Sequence, residues 1–267
     1  MWALEKGETS PSNSSAMCYD RGLLSKSPLV FTMLYAGTSG FAYPTWKPRF
    51  YPKEVPARSF LNYYSGRLNC VEVNYTFRRL PAASTLENWI KATPEGFLFV
   101  VKGHQRITHI LRLKNAAEFT DVFFRAIEPL RATHRLGPIL FQLPPFFHAD
   151  PAALEQFLAG VPEDLRYAFE FRHDSWLEET TYALLREHNV ALCWAETEKF
   201  EVPEVTTADF AYFRLRKPEY PPEELQAISN KVHGLLKEGK DVFVFFKHEE
   251  SPEGALYAES LLKAVKG

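Results

Sequence analysis

The chain has 267 residues, 46% of them apolar and 24% charged, with 15% aromatic side chains and a formal net charge of −2. The balance is that of an ordinary globular protein, and the length suits one large α/β domain or two small ones. The near-neutral total excludes a long-range pull on nucleic acid, so any such role needs a local basic patch.

Residues 1–33 hold, over residues 1–28, a stretch rich in Ser, Gly, Pro and charge with no sustained period. They read as a disordered leader, with Met33 as a natural start and residues 34–267 as the folded unit. Eight short apolar runs follow in chain order, at residues 34–38, 70–74, 97–102, 138–143, 167–171, 190–195, 210–215 and 242–246. Several are continuously apolar, as strands buried on both faces must be. Helical patterns lie between them at residues 58–67, 84–92, 118–132, 151–159, 176–188, 223–238 and 253–265. Asp150 before Pro151 is a natural start for one of them, because Asp accepts from free N–H groups and Pro tolerates the first turn. Residues 196–208 are too few and too polar for a full helix.

Strict alternation of strand and helix implies parallel strands with right-handed crossovers. Eight units predict a single (β/α)8 barrel with a degenerate sixth helix and a disordered N-terminal leader. The competing open doubly wound sheet lacks a Gly-rich phosphate fingerprint after any early strand. No apolar stretch is long enough to span a membrane. Cys18, Cys70 and Cys193 are odd in number and widely spaced, which argues against a disulfide framework and for a cytoplasmic location.

In such a barrel the strand C-termini face the site. The runs end on Thr38 and Ser39, on Glu72 and Asn74, on Lys102 with His104 beyond, on Gln142, on Glu170 and Arg172 with His173, near Glu196, on Arg214 and Arg216, and on Lys247 and His248. Charges cannot sit in an apolar barrel unpartnered, so these groups must form a network at the mouth. A purely structural polar plug is one reading of it. The number of polar ends favours a ligand cavity. Glu72 and Glu170 are the candidates for acid–base catalysis, being fixed on strands. Lys102, Arg172 and Arg214 are candidates to hold an anion, with His109 and Gln142 orienting it.

Two further stretches carry signal. Lys102, His104, Arg106, His109, Arg112 and Lys114 precede any acid, which projects positive potential over the mouth. Tyr43 and Trp46 interleave with Lys47 and Arg49, and aromatics with cations stack bases while holding phosphates. Phe50 and Tyr51 read better as packing beneath a Pro-rich loop. His104, His109, His148, His173 and His248 follow strand ends, yet no compact ligand spacing is present, so neither a metal nor another cofactor is expected.

These residues also carry a family resemblance. The opening Gly37 to Tyr43 with Trp46 and Phe50-Tyr51-Pro52 is similar to the start of the YecE-like family. Val71-Glu72-Val73-Asn74 with Thr76, Phe77 and Pro81, then Phe97 to Lys102, Thr108-His109 with Arg112-Leu113, Gly137 to Pro145, Glu170-Phe171-Arg172 with Ser175-Trp176, and Thr207-Ala208-Asp209 leading to Tyr212 and Arg214 follow in order. The resemblance covers nearly all of residues 34–265. It implies a TIM barrel and supplies no activity. Two places depart from it: Arg216-Lys217 stands where the family shows His-Gly, and Lys247-His248-Glu249 where it shows Asn. Together these readings give an enzyme, a hydrolase or isomerase, binding an anionic phosphate-bearing small molecule at the mouth. The alternative is a non-catalytic protein for single-stranded or damaged nucleic acid.

Overall fold

The computed structural model describes residues 32–247 and 250–266. The leader expected over residues 1–33 lies almost wholly outside the described residues, as does His248. Eight parallel strands form one sheet: β1 (Leu34–Thr38), β2 (Cys70–Val73), β3 (Leu98–Lys102), β4 (Leu136–Gln142), β5 (Tyr167–Glu170), β6 (Ala191–Ala195), β7 (Phe210–Leu215) and β8 (Asp241–Phe246). Their order, β1-β8-β7-β6-β5-β4-β3-β2, is that of a barrel opened at one seam. The helices are α1 (Phe60–Ser65), α2 (Tyr75–Arg78), α3 (Ala83–Lys91), α4 (Ala117–Ala132), α5 (Pro151–Leu158), α6 (Glu179–Glu187), α7 (Pro222–Lys237) and α8 (Glu253–Lys266). Asp150 caps α5 as expected, accepting from Ala153 N–H at 3.1 Å. Residues 196–209 hold no helix, so β6 and β7 are joined by a loop, as the polar spacing implied.

The seam between β1 and β2 is closed mostly by side chains. A single bridge joins Ser39 to Glu72. Asn69 accepts from Ala36 N–H at 2.9 Å and donates to the Leu34 carbonyl at 2.7 Å. The Tyr64 hydroxyl accepts from Thr38 N–H at 2.8 Å and donates to the Cys70 carbonyl at 3.1 Å. Buried backbone groups without a ladder partner need such substitutes. Gly37 lets the strands approach: a Cβ there would stand 2.1 Å from the Cys70 carbonyl oxygen and 2.9 Å from the Tyr64 hydroxyl. Gly37→Ala is therefore expected to destabilise the fold by about 1–3 kcal/mol or more, read as a lower urea midpoint. An unchanged midpoint would show that the seam yields freely.

The barrel interior follows the two-residue period of a strand. Cys70, Val100, Leu140, Ala168, Cys193 and Tyr212 form an apolar layer with Phe243. Two residues further along, the same faces deliver Glu72, Lys102, Gln142, Glu170, Ala195 and Arg214. Ala195 and, on β8, Phe245 in register with Arg214 break the polar ring. The opposite faces of the strands pack against the helices, in a core that includes Val71, Phe99, Phe141, Phe169 and Phe213.

Candidate functional site

Arg214 is the hub of the polar ring. Its guanidinium donates to Glu72 at 2.6 Å and to Glu170 at 2.5 Å, and all three side chains are at most 3% exposed. Arg216 adds a 2.6 Å bond to Glu170. The Ser39 and Tyr212 hydroxyls each donate to Glu72 at 2.7 Å. The Gln142 amide donates to Glu170 and accepts from the Lys102 ammonium, both at 2.8 Å. Every carboxylate oxygen thus has a donor, which is the condition for keeping an ion pair buried.

The titration behaviour follows from this geometry. Burial pushes the Glu170 carboxyl up, but Arg214 and Arg216 overcome it and bring its pKa down to about 2. Burial likewise opposes ionisation of Glu72, and the charge and hydrogen bond of Arg214, helped by Ser39 and Tyr212, hold its pKa below the ordinary value. Lys102 goes the other way. Its burial, with the nearby Arg214 charge, lowers its pKa to about 8. Its ammonium lies 4.3 Å from the centre of the Phe77 ring, and it makes no ion pair among the described residues.

Above the ring lies a cleft of about 260 Å³ lined by Asn74, Phe77, Arg78, Lys102, Gln142, Arg172, Arg214, Arg216 and Lys247. Six of these nine side chains are cationic, and among the described residues no carboxylate lines the cleft. The two carboxylates lie beneath, already spent on Arg214 and Arg216. The Nε–H groups of both arginines are buried and have no acceptor among the described residues. Buried donors of this kind are rare in native structures.

Most of the predicted site residues converge here. Glu72, Glu170, Lys102, Gln142 and Arg214 form one network, and exposed Arg172 joins the cleft wall. His109 stands beside the cleft. Its ring meets Phe77 edge-on at 5.0 Å, and burial, then the Lys102 and Arg172 charges, lower its pKa. Tyr43 and Trp46 do not reach the cleft. Trp46 is fully buried, 4.9 Å from Tyr43 and stacked on Tyr51, so no face of its ring is open to a base. Tyr43 is half-buried and donates to the Ser39 carbonyl at 3.0 Å. The pair belongs to the aromatic packing that had been assigned only to Phe50 and Tyr51. Asn74, Phe77, Arg78, Arg216 and Lys247 complete the cleft. Asn74, Arg216 and Lys247 are visible as polar residues at or just past strand ends; Phe77 and Arg78 arrive on α2, a one-turn helix that carries no period.

The loop from β3 to α4 covers one side of the mouth. Residues 106–110 form a single wide turn, and Arg112, Leu113 and Asn115 take positive φ values of 52°, 68° and 50°. For Leu such a conformation is strained. Lys114 of this loop pairs with Asp150 at 2.6 Å, so part of the basic run is neutralised by the α5 cap. Among the described residues no group of three or more His, Cys, Asp or Glu side chains is placed to hold a metal ion. No helix among them is long and apolar enough to cross a membrane.

The match to known proteins agrees with this architecture. Residues 35–267 match the family described as "Protein of unknown function DUF72". The chain belongs to the DUF72 family. This is the YecE-like resemblance read from the strand-end motifs. The UPF0759 protein YunF of Bacillus subtilis (strain 168) is 26% identical over 270 residues, spanning 87% of this chain and 95% of that protein. A crystal structure of a DUF72 family protein from Thermotoga maritima MSB8 is 31% identical, with a TM-score of 0.79 over 88% of this chain and 100% of that one. A second, from Enterococcus faecalis V583, is 22% identical with a TM-score of 0.71 over 88% and 98%, a likeness of fold alone.

Proposed function

We propose that this DUF72 barrel binds an anionic, phosphate-bearing small molecule in the cationic cleft and acts on it as an enzyme. The observation that carries the reading is the cationic surplus of the cleft, anchored from below by Glu72 and Glu170. Preorganised cations in a partly dry site bind developing negative charge without reorganising. Proton transfer by Glu72 and Glu170 was the expectation from sequence. Their ion pairs favour a positioning role instead, because both carboxyls are held ionised and fully engaged. Lys102 is the better proton carrier: with its pKa brought down to about 8, it exchanges a proton near neutral pH. Hydrolysis and isomerisation of a phosphate ester both use such a group.

Calorimetric titration with orthophosphate and a panel of phosphorylated metabolites tests the reading. Arg172→Ala is expected to weaken binding by about tenfold, the order of one charge-assisted bond. Heat-silent titrations across the panel at low salt would remove it. A second reading rests on a separate observation. Tyr75, Ile110 and Phe146 are exposed, on the segments after β2, β3 and β4, near Arg78, Arg79 and Arg112. A single strand would stack there with its phosphates over the cleft. Anisotropy of labelled oligonucleotides decides between them: tight binding that weakens steeply with salt favours the strand.

A further inference from the structure

The strands of a (β/α)8 barrel hide their outer faces under helices. β6 and β7 share a stretch where a loop replaces the covering helix, and the residues beneath it are still at most 9% exposed. Trp194, Phe213 and Leu215 lie on their helix-facing side, and the chain between the two strands, residues 196–209, forms only a loop. The loop is tied down at its far end. The Trp194 indole donates to the Val205 carbonyl at 3.1 Å, and the Thr207 hydroxyl joins Val190 and Leu192 at 2.7 and 2.8 Å. Between loop and strands a cavity of about 930 Å³ opens, with Trp194, Phe213 and Leu215 on the strand side and Val202 and Ile228 opposite. A cavity of about 300–1,000 Å³ with apolar walls and a few polar groups is the usual form of a small-molecule site.

Two facts say what fits there. Arg172 and Arg216 line this groove and the cationic cleft alike, so the two spaces are neighbours across those two residues. Glu196, Glu198, Glu201 and Glu204 also line the groove, interspersed with Lys199, Lys217 and Lys231, and Lys231 pairs with Glu204. A nucleic-acid strand, charged along its whole length, would meet those carboxylates with no continuous track of base to offset them. A molecule with one anionic end and an uncharged body meets no such penalty.

We propose that the ligand of the cleft is a small phosphate ester with an aromatic or branched apolar body, and that the body lodges in the groove left where no helix follows β6. The inference rests on the anion-site reading of the cleft. Its test compares orthophosphate with naphthyl phosphate by calorimetry, on the native protein and on Ile228→Trp and Val202→Asp, with thermal melts to confirm that each variant is folded. The ratio of the two affinities is the readout. The native protein is expected to prefer naphthyl phosphate by about tenfold or more, from the apolar surface it buries. Filling the groove, or placing a charge in it, should bring the ratio close to one. A native ratio near one, with orthophosphate still bound, overturns the groove and leaves the anion site standing. A preference that survives in both folded variants also overturns it. Binding of neither ligand overturns the anion site, and the groove with it.

Discussion

Arg214→Met is expected to lower stability by about 3–5 kcal/mol, the usual penalty for removing one partner of a buried ion pair. The residue is enclosed with Glu72 and Glu170, and its loss leaves Glu72 with only two hydroxyl donors. For a domain of this size the change corresponds to a fall in Tm of about 6–20 °C. The loss is electrostatic rather than steric, so two further observations follow. Adding Glu72→Gln and Glu170→Gln to Arg214→Met should recover most of it, since neutral amides carry no stranded charge. The penalty should also shrink in acid. Glu170 has its folded-state pKa depressed to about 2 from an ordinary 4.5, so the stability it contributes is complete above pH 4.5 and is lost as the pH falls toward 2. Native protein should weaken across that window and Arg214→Met much less. A melting curve for Arg214→Met that matches the native one at pH 7 would mean that the cluster is not held together by its charges.

The fold was legible because its signal is repetitive. β1 and β7 were delimited to the residue, and the other strands to within one or two, because each is a short apolar run punctuated by polar ends. The site was partly legible for the same reason: the two-residue period that buries Cys70, Ala168 and Tyr212 carries Glu72, Glu170 and Arg214 to the mouth two positions later. What periodicity cannot give is partnership. Whether Glu170 faces a substrate or an arginine depends on register across β4, β5 and β7, which is set by the whole barrel. The same limit explains Trp46. An aromatic beside cations in a Pro-rich loop reads alike whether the loop folds outward or, as here, turns its ring into the core against Tyr51 and Phe50. The groove beside β6 left only a negative trace in the sequence, a helix that was not there.

Phosphate-ester binding is expected to be strongest between about pH 6 and about pH 8, and the basic limb should belong to Lys102. Below about pH 6 a phosphate monoester loses its second charge. Above pH 8 Lys102 loses its proton, because burial and the Arg214 charge have brought its pKa down to about 8. By pH 9 the affinity should have fallen by about tenfold, the limit for one proton lost from the free protein and retained in the complex. No other member of the site explains that limb. Glu170 and Glu72, held below the ordinary carboxyl pKa by Arg214, stay ionised throughout, and Arg214 has its own pKa raised by the two carboxylates. His109, lowered below its ordinary 6.5 by burial and by Lys102 and Arg172, is neutral over that basic limb. Lys102→Arg keeps a charge that does not titrate, so its affinity should stay level from pH 7 to pH 9.5. Lys102→Ala should be weaker at pH 7 and equally level. Calorimetry at stepped pH checks all three profiles. A native profile flat through pH 9.5 would mean that Lys102 keeps its proton and has the role of a fixed charge, which would move the proton-transfer step away from it. A limb that persists in Lys102→Arg would assign it to the ligand or to a residue outside the cleft.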